Sequence, residues 1–134
     1  MNIVDSSGWL EYFAGTSHAT PFVKPIENLK ELIVPTISLA EVFKKIVKER
    51  GEPLALRAVA HMKQGNVVDL DDTIALKAAK LGYELKLPMV ESIILATAYH
   101  YNATLWTQDS DFEGIAGVRY DKKELCMDNF QSIW

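Results

Sequence analysis

The chain has a single cysteine, Cys126, so no disulfide can close within it and its stability must come from packing. That lone thiol fits a reducing compartment and, with no obvious partner, does not suggest catalysis. Long apolar runs are also lacking, and no stretch approaches the roughly 20 residues of a membrane span. Met1 to Phe13 carries Asp5 and Glu11 and lacks a basic start followed by an apolar run, so no signal peptide is expected. Basic excess is missing too: 14 Lys and Arg stand against 18 Asp and Glu, a net charge of −4, which argues against a general polyanion binder. No strand is followed by Gly-x-Gly-x-x-Gly or a Walker loop, which disfavours a nucleotide-binding domain. His18, His61 and His100 have no His-Glu-x-x-His spacing. A cytoplasmic protein is expected, its 134 residues forming one domain large enough to bury a core.

What the chain does have is short apolar strands alternating with helical stretches. Asn2-Ile3-Val4-Asp5 reads as a strand, followed by a helix from Ser6 to Phe13. Thr20-Pro21 predicts an N-cap and first helical residue of a second helix ending near Leu32. Leu32 to Pro35 is the next strand, and the following helix runs to Arg50, with Leu39, Val42, Phe43, Ile46 and Val47 on its apolar stripe and Gly51 as its stop. A helix over Pro53–Gln64, a strand over Val67–Leu70 and helices over Asp71–Lys86 and Val90–Tyr101 precede a strand at Thr104–Thr107 and a short one at Gly117–Tyr120. The alternation predicts βαβ units: an α/β fold, a three-layer α/β/α sandwich around a mostly parallel sheet. Phe130, Ile133 and Trp134 lie in a C-terminal segment that either docks on the domain or contacts a partner.

Four carboxylates fall where such a sheet gathers ligands, outside the carboxyl ends of its strands: Asp5, Glu41, Glu91 and Asp109. Magnesium and manganese ions need oxygen ligands and anionic charge, and carboxylates supply both. Each position also has a structural role to offer. Asp5 can cap the first helix, and Ser38-Leu39-Ala40-Glu41 fits a capping box with Glu41 reaching back to Ser38. Asp109 or Asp111 can cap the turn that follows, and Asp69, Asp71 and Asp72 flank a helix start where acids are expected. Glu91 is different, because Val90 to Ala98 is apolar nearly all round and a buried carboxylate there requires compensation by a cation. Several carboxylates in one pocket should also hold protons above their usual range. Lys44, Lys45 and Lys48 either meet a phosphate backbone or form a solvated helix face.

Ile3-Val4-Asp5-Ser6-Ser7-Gly8-Trp9-Leu10, Thr36 to Val42, Glu91 to Tyr99 and Thr107-Gln108-Asp109-Ser110-Asp111-Phe112 together resemble the successive acidic motifs of PIN domains, in the expected order, from the start to about Tyr120. At this length the chain is most similar to VapC-like toxins of toxin–antitoxin pairs. The resemblance implies a Mg²⁺- or Mn²⁺-dependent endoribonuclease acting on RNA, a homodimer, and a small VapB-like antitoxin. It implies that Asp5, Glu41, Glu91 and Asp109 are the catalytic and metal-binding positions, with Asp111 auxiliary and Thr107 and Ser6 as small polar supports. Where the family most often has aspartate in a motif like Asp-Ser-Ile-Ile-Leu-Ala-Thr-Ala, this chain has Glu91; a PIN-like module that has lost catalysis and acts by binding is the alternative.

Overall fold

A computed structural model describes residues 1–123, and the C-terminal segment with Cys126, Phe130, Ile133 and Trp134 lies outside the described residues. Five strands, β1 (Asn2–Val4), β2 (Leu32–Pro35), β3 (Asn66–Val68), β4 (Thr104–Thr107) and β5 (Val118–Tyr120), form one parallel sheet in the order β3-β2-β1-β4-β5. Six α-helices cover it: α1 (Ser6–Ala14), α2 (Thr20–Glu27), α3 (Thr36–Arg50), α4 (Glu52–Met62), α5 (Asp72–Leu85) and α6 (Met89–His100).

The inner strands read as unbroken apolar runs because both faces are covered. Successive side chains point to opposite faces, so Val4, Leu32 and Val34 enter the core under α1 to α4 with Trp9, Phe22, Ile26, Val42 and Ile46. Ile3, Ile33 and Leu105 enter the other, under α6, with Ile94, Leu95 and Ala98. Helix α5 packs outside α6 through Ile74 and Ala78 against Ile93 and Ala96. Two glycines permit close approach: a Cβ on Gly8 would lie 2.6 Å from Val4 Cγ1 and 2.7 Å from Phe22 Cδ1, and one on Gly82 would lie 2.7 Å from Ser92 Oγ.

The sheet order reverses direction between β1 and β4. From β1 the chain builds outward through β2 and β3, then returns to add β4 and β5 on the other side. The crevice at such a switch point, at the carboxyl ends of the strands, is where open α/β sheets bind ligands.

Several local expectations are corrected. The second helix ends at Glu27 and a 3-10 turn over Leu29–Glu31 leads into β2; Thr20 lies within α2, its hydroxyl donating to the Ser17 carbonyl at 3.1 Å. Val47 is 37% exposed and leaves the apolar stripe of α3. The strand β3 begins one residue earlier and stops at Val68, after which Asp71 caps α5 by accepting from the Ile74 amide at 2.8 Å. No described helix is long and apolar enough to cross a membrane.

Candidate metal centre

Pairing of β1 with β4 sets Val4 opposite Trp106, so the next residue of each strand, Asp5 and Thr107, emerge side by side at the switch point. The Asp5 carboxylate is buried and fully engaged. It accepts from the Gly8 amide at 3.3 Å, from Ser7 Oγ at 2.5 Å and, through its other oxygen, from Thr107 Oγ1 at 2.7 Å. The cap and the site are therefore one geometry: the residue that closes the first turn of α1 also faces the crevice. Thr107 Oγ1 in turn accepts from the Asp109 amide at 2.9 Å, fixing the loop after β4 to the end of β1. Burial raises the Asp5 carboxyl to about 6, against the hydrogen bonds from Ser7, Thr107 and Gly8 that favour the anion, and the charge of Asp109 adds to the rise.

Glu41 does not form a capping box. Helix α3 starts at Thr36 with Pro35 as its cap residue, which puts Ser38 inside the helix, fully buried with no partner for its hydroxyl among the described residues, and Glu41 in the second turn rather than the first. Pro35 lacks an N–H and presets its own backbone, so the helix begins earlier than the Ser-x-x-Glu pattern suggested. Glu41 instead reaches Ser6 at the head of α1. Burial raises its carboxyl above the usual range, the Ser6 hydroxyl opposes this, and the charges of Glu91, Asp5 and Asp109 push it higher. The rise at both acids thus comes from burial first and from repulsion second. Glu41 Oε1 is a buried oxygen with no hydrogen-bond partner among the described residues.

Glu91 stands in the first turn of α6, whose N-terminus lies at this end of the sheet because the helix runs back before β4. It is half-buried, while Ser92 to Ala98 behind it are buried. Asp109 caps the 3-10 turn at Ser110–Phe112, accepting from the Asp111 amide at 3.0 Å. One oxygen each from Glu91, Asp109 and Asp111 lie within 4.8 Å of one another. Asp111, expected only as an auxiliary, is part of this tight group; Asp5 and Glu41 flank it. Three convergent carboxylates and an orphaned buried oxygen beside them form an all-oxygen donor set, which fits a hard divalent cation.

One carboxylate escaped the motif reading. Glu11, in the middle of α1, is 7% exposed and accepts from Lys123 Nζ at 2.6 Å, from Gln108 Nε2 at 3.1 Å and from Thr16 Oγ1. Burial alone would raise its carboxyl, but those hydrogen bonds and the charge of Lys123 outweigh it and hold it below the usual range. Glu11 thereby ties α1 to the loop after β4 and to the segment after β5. Its only sequence signal was an acid on a mostly apolar helix, and two of its three partners, Gln108 and Lys123, lie 97 and 112 residues away.

A three-layer α/β sandwich with acidic residues gathered at the switch point of a parallel sheet defines the class. The PIN domain model matches residues 3–118, and the chain belongs to that family. Among solved structures, a toxin–antitoxin complex from Klebsiella pneumoniae matches with 26% identity and a TM-score of 0.75, over 89% of this chain and 96% of that one. The DNA-bound VapBC of Salmonella typhimurium aligns at 18% identity and TM-score 0.71, over 90% and 96% of the two chains. A Mycobacterium tuberculosis VapC toxin described as cleaving the sarcin-ricin loop aligns at 16% and 0.70, over 84% and 92%. A search of curated protein sequences gave no match.

Proposed function

We propose that this protein is a Mg²⁺- or Mn²⁺-dependent endoribonuclease, the toxin of a toxin–antitoxin pair. The observation that carries the proposal is the convergence of Glu91, Asp109 and Asp111 beside the unpartnered oxygen of Glu41, at the switch point of a PIN fold. Family membership and the toxin–antitoxin character of the structural neighbours support the rest.

Asp5, Glu41, Glu91 and Asp109 are the residues we assign to metal binding and catalysis, with Asp111 completing the donor set. A divalent ion held there supplies charge neutralisation at the scissile phosphate and acidifies water. The chain's own contribution is arrangement. Thr107 and Ser7 lock the rotamer of Asp5, Ser6 orients Glu41, and the Thr107–Asp109 bond keeps the loop acid aligned with both. Burial raises the Asp5 carboxyl to about 6 and the Glu41 carboxyl above the usual range, so both hold a proton to higher pH than an ordinary carboxylate. Glu91 in place of aspartate favours the binding-only alternative; its position within reach of Asp109 and Asp111 favours the active one.

A small antitoxin with an arginine-bearing tail is the expected partner, its guanidinium pairing bidentately with two carboxylates of the acidic crevice. A homodimer working in the cytoplasm completes the proposal. The test is cleavage of RNA with Mn²⁺ or Mg²⁺ against EDTA, together with thermal melting. Either ion should raise the melting temperature and support cleavage, and Asp5→Ala should lose both effects. Wild-type metal-dependent cleavage by Asp5→Ala would show the site to be wrong.

A further inference from the structure

Next to the acidic crevice, on the α1/α2 side of the sheet end, lies a cavity of about 300 Å³ lined by His18, Thr20, Gln108, Asp121 and Lys122 among others. The size is at the lower end of the roughly 300–1,000 Å³ range of small-molecule sites, room for one planar ring system. Gln108 is the residue between Thr107 and Asp109, so the cavity opens one residue away from the acidic loop. Its amide has a defined orientation. The Glu11 carboxylate, kept ionised by Lys123, can only accept, so Nε2 of Gln108 must face it, as it does at 3.1 Å. The Gln108 carbonyl oxygen is then a fixed acceptor with no donor among the described residues. Asp121 also lines the cavity, its backbone anchored by its amide donating to the Thr107 carbonyl at 2.9 Å and its side chain exposed. Lys122 is exposed and forms no ion pair among the described residues, whereas Lys123 is engaged with Glu11.

The Gln108 carbonyl oxygen and the Asp121 carboxylate, two acceptors lining one cavity with the cationic Lys122 beside them, suit a ring that carries an amine and is attached to a phosphate. We propose that this cavity binds the base adjoining the scissile phosphate and selects one with an exocyclic amine, so that cytosine is taken in preference to uracil. The proposal rests on the ribonuclease reading above and adds its specificity. The chemistry is that of single-stranded RNA recognition, where unstacked bases are read on their hydrogen-bonding edges. Cytosine presents an N4 amine where uracil presents a carbonyl, which would face the Gln108 oxygen with no proton between them. A site built to hydrogen-bond a group discriminates against the analogue lacking it.

The experiment has a cleavage arm and a binding arm. In the first, a randomised RNA pool is cut with Mn²⁺ and the new ends are sequenced; uracil should be depleted about fivefold at one position next to the cut, the effect of one net hydrogen bond. Gln108→Leu, which removes the acceptor at similar size, should erase the depletion. Asp121→Ala, which leaves the Glu11 network intact, should reduce it. In the second arm, wild-type protein in EDTA is titrated with fluorescent oligocytidylate and oligouridylate, and the same preference should appear and vanish in Gln108→Leu. Each readout is a ratio within one protein, so partial loss of folded material does not mimic it. Absence of cleavage by the wild type with a cytosine preference in binding would sink the nuclease proposal and sustain the cavity assignment. Equal binding of the two oligomers, undiminished uracil at the cut, or a preference that survives Gln108→Leu would overturn it.

Discussion

Asparagine at position 5 keeps the size of the side chain and removes its charge, which isolates the cost of a buried carboxylate at the switch point. The Asp5 carboxyl is raised from 3.8 to about 6 in the folded chain, chiefly by burial. Because the folded value is the higher one, the group's contribution to stability is fully present below pH 3.8 and is lost as pH rises through 6. At about 1.36 kcal/mol per pH unit, the difference corresponds to roughly 3 kcal/mol by pH 7, of which about 1 kcal/mol is lost between pH 5 and 7. The variant cannot lose what it does not titrate. Asp5→Asn should therefore gain on the wild type by about 1 kcal/mol over that interval, whatever constant offset arises from turning an amide N–H toward Thr107. Urea unfolding of both proteins in EDTA at pH 5, 6 and 7 measures this, and the difference between the two curves, rather than either alone, removes the titrations that do not depend on the Asp5 charge. Divalent metal should shift the difference back toward the wild type at pH 7, since it competes with the proton and needs the intact carboxylate. A difference that stayed constant with pH in EDTA would refute the assignment of the strain to Asp5.

Glu91→Gln keeps shape but loses charge, and should weaken metal affinity and cleavage strongly while leaving the fold intact. Glu91→Asp separates two histories of the site: activity should fall if the donor set is built around the longer arm and rise if it is degraded from aspartate, whereas no change in metal affinity or cleavage by either variant would make Glu91 structural. Gly8→Ala drives a methyl to within 2.6 Å of Val4 and 2.7 Å of Phe22, both fully buried, and should cost about 1–3 kcal/mol in chemical unfolding. An unchanged denaturation midpoint would mean that β1, α1 and α2 are less closely packed than the structure has them.

The fold was legible wherever a short apolar strand met a helix with a face to bury. Leu32–Pro35 and Thr104–Thr107 have the predicted bounds, and Ser92 to Ala98 are buried as an all-round apolar helix must be. Boundaries set by proline and by tertiary contact were less legible. Ser38 fits a capping pattern, but Pro35 starts the helix before it and packing buries the serine. The gathering of acids was legible because it follows from topology: any acid just past β1 or β4, or in the opening turns of α3 or α6, comes to the same end of the sheet. What sequence could not supply was which acids stand within ligating distance of each other. Asp111 joins Glu91 and Asp109, while Asp5 and Glu41 flank the group, a matter of side-chain reach that spacing does not encode.

Glu11 shows why the remainder was hidden. Its helix position marks it as an acid on an otherwise apolar segment, a pattern that ordinarily means one exposed face. It is buried because a lysine from beyond β5 and an amide from beyond β4 converge on it, and both arrive only once the sheet is assembled with β4 and β5 on the far side of β1. The same bond from Gln108 Nε2 to Glu11 leaves the Gln108 carbonyl oxygen without a donor among the described residues. Two neighbouring residues of one loop thus have different surroundings: Asp109 stands in the acidic group and Gln108 lines the polar cavity. Alternation along an extended segment suffices to separate them, so under the proposed function a substrate strand crossing the sheet end would meet charge chemistry on one side and hydrogen-bond selection on the other.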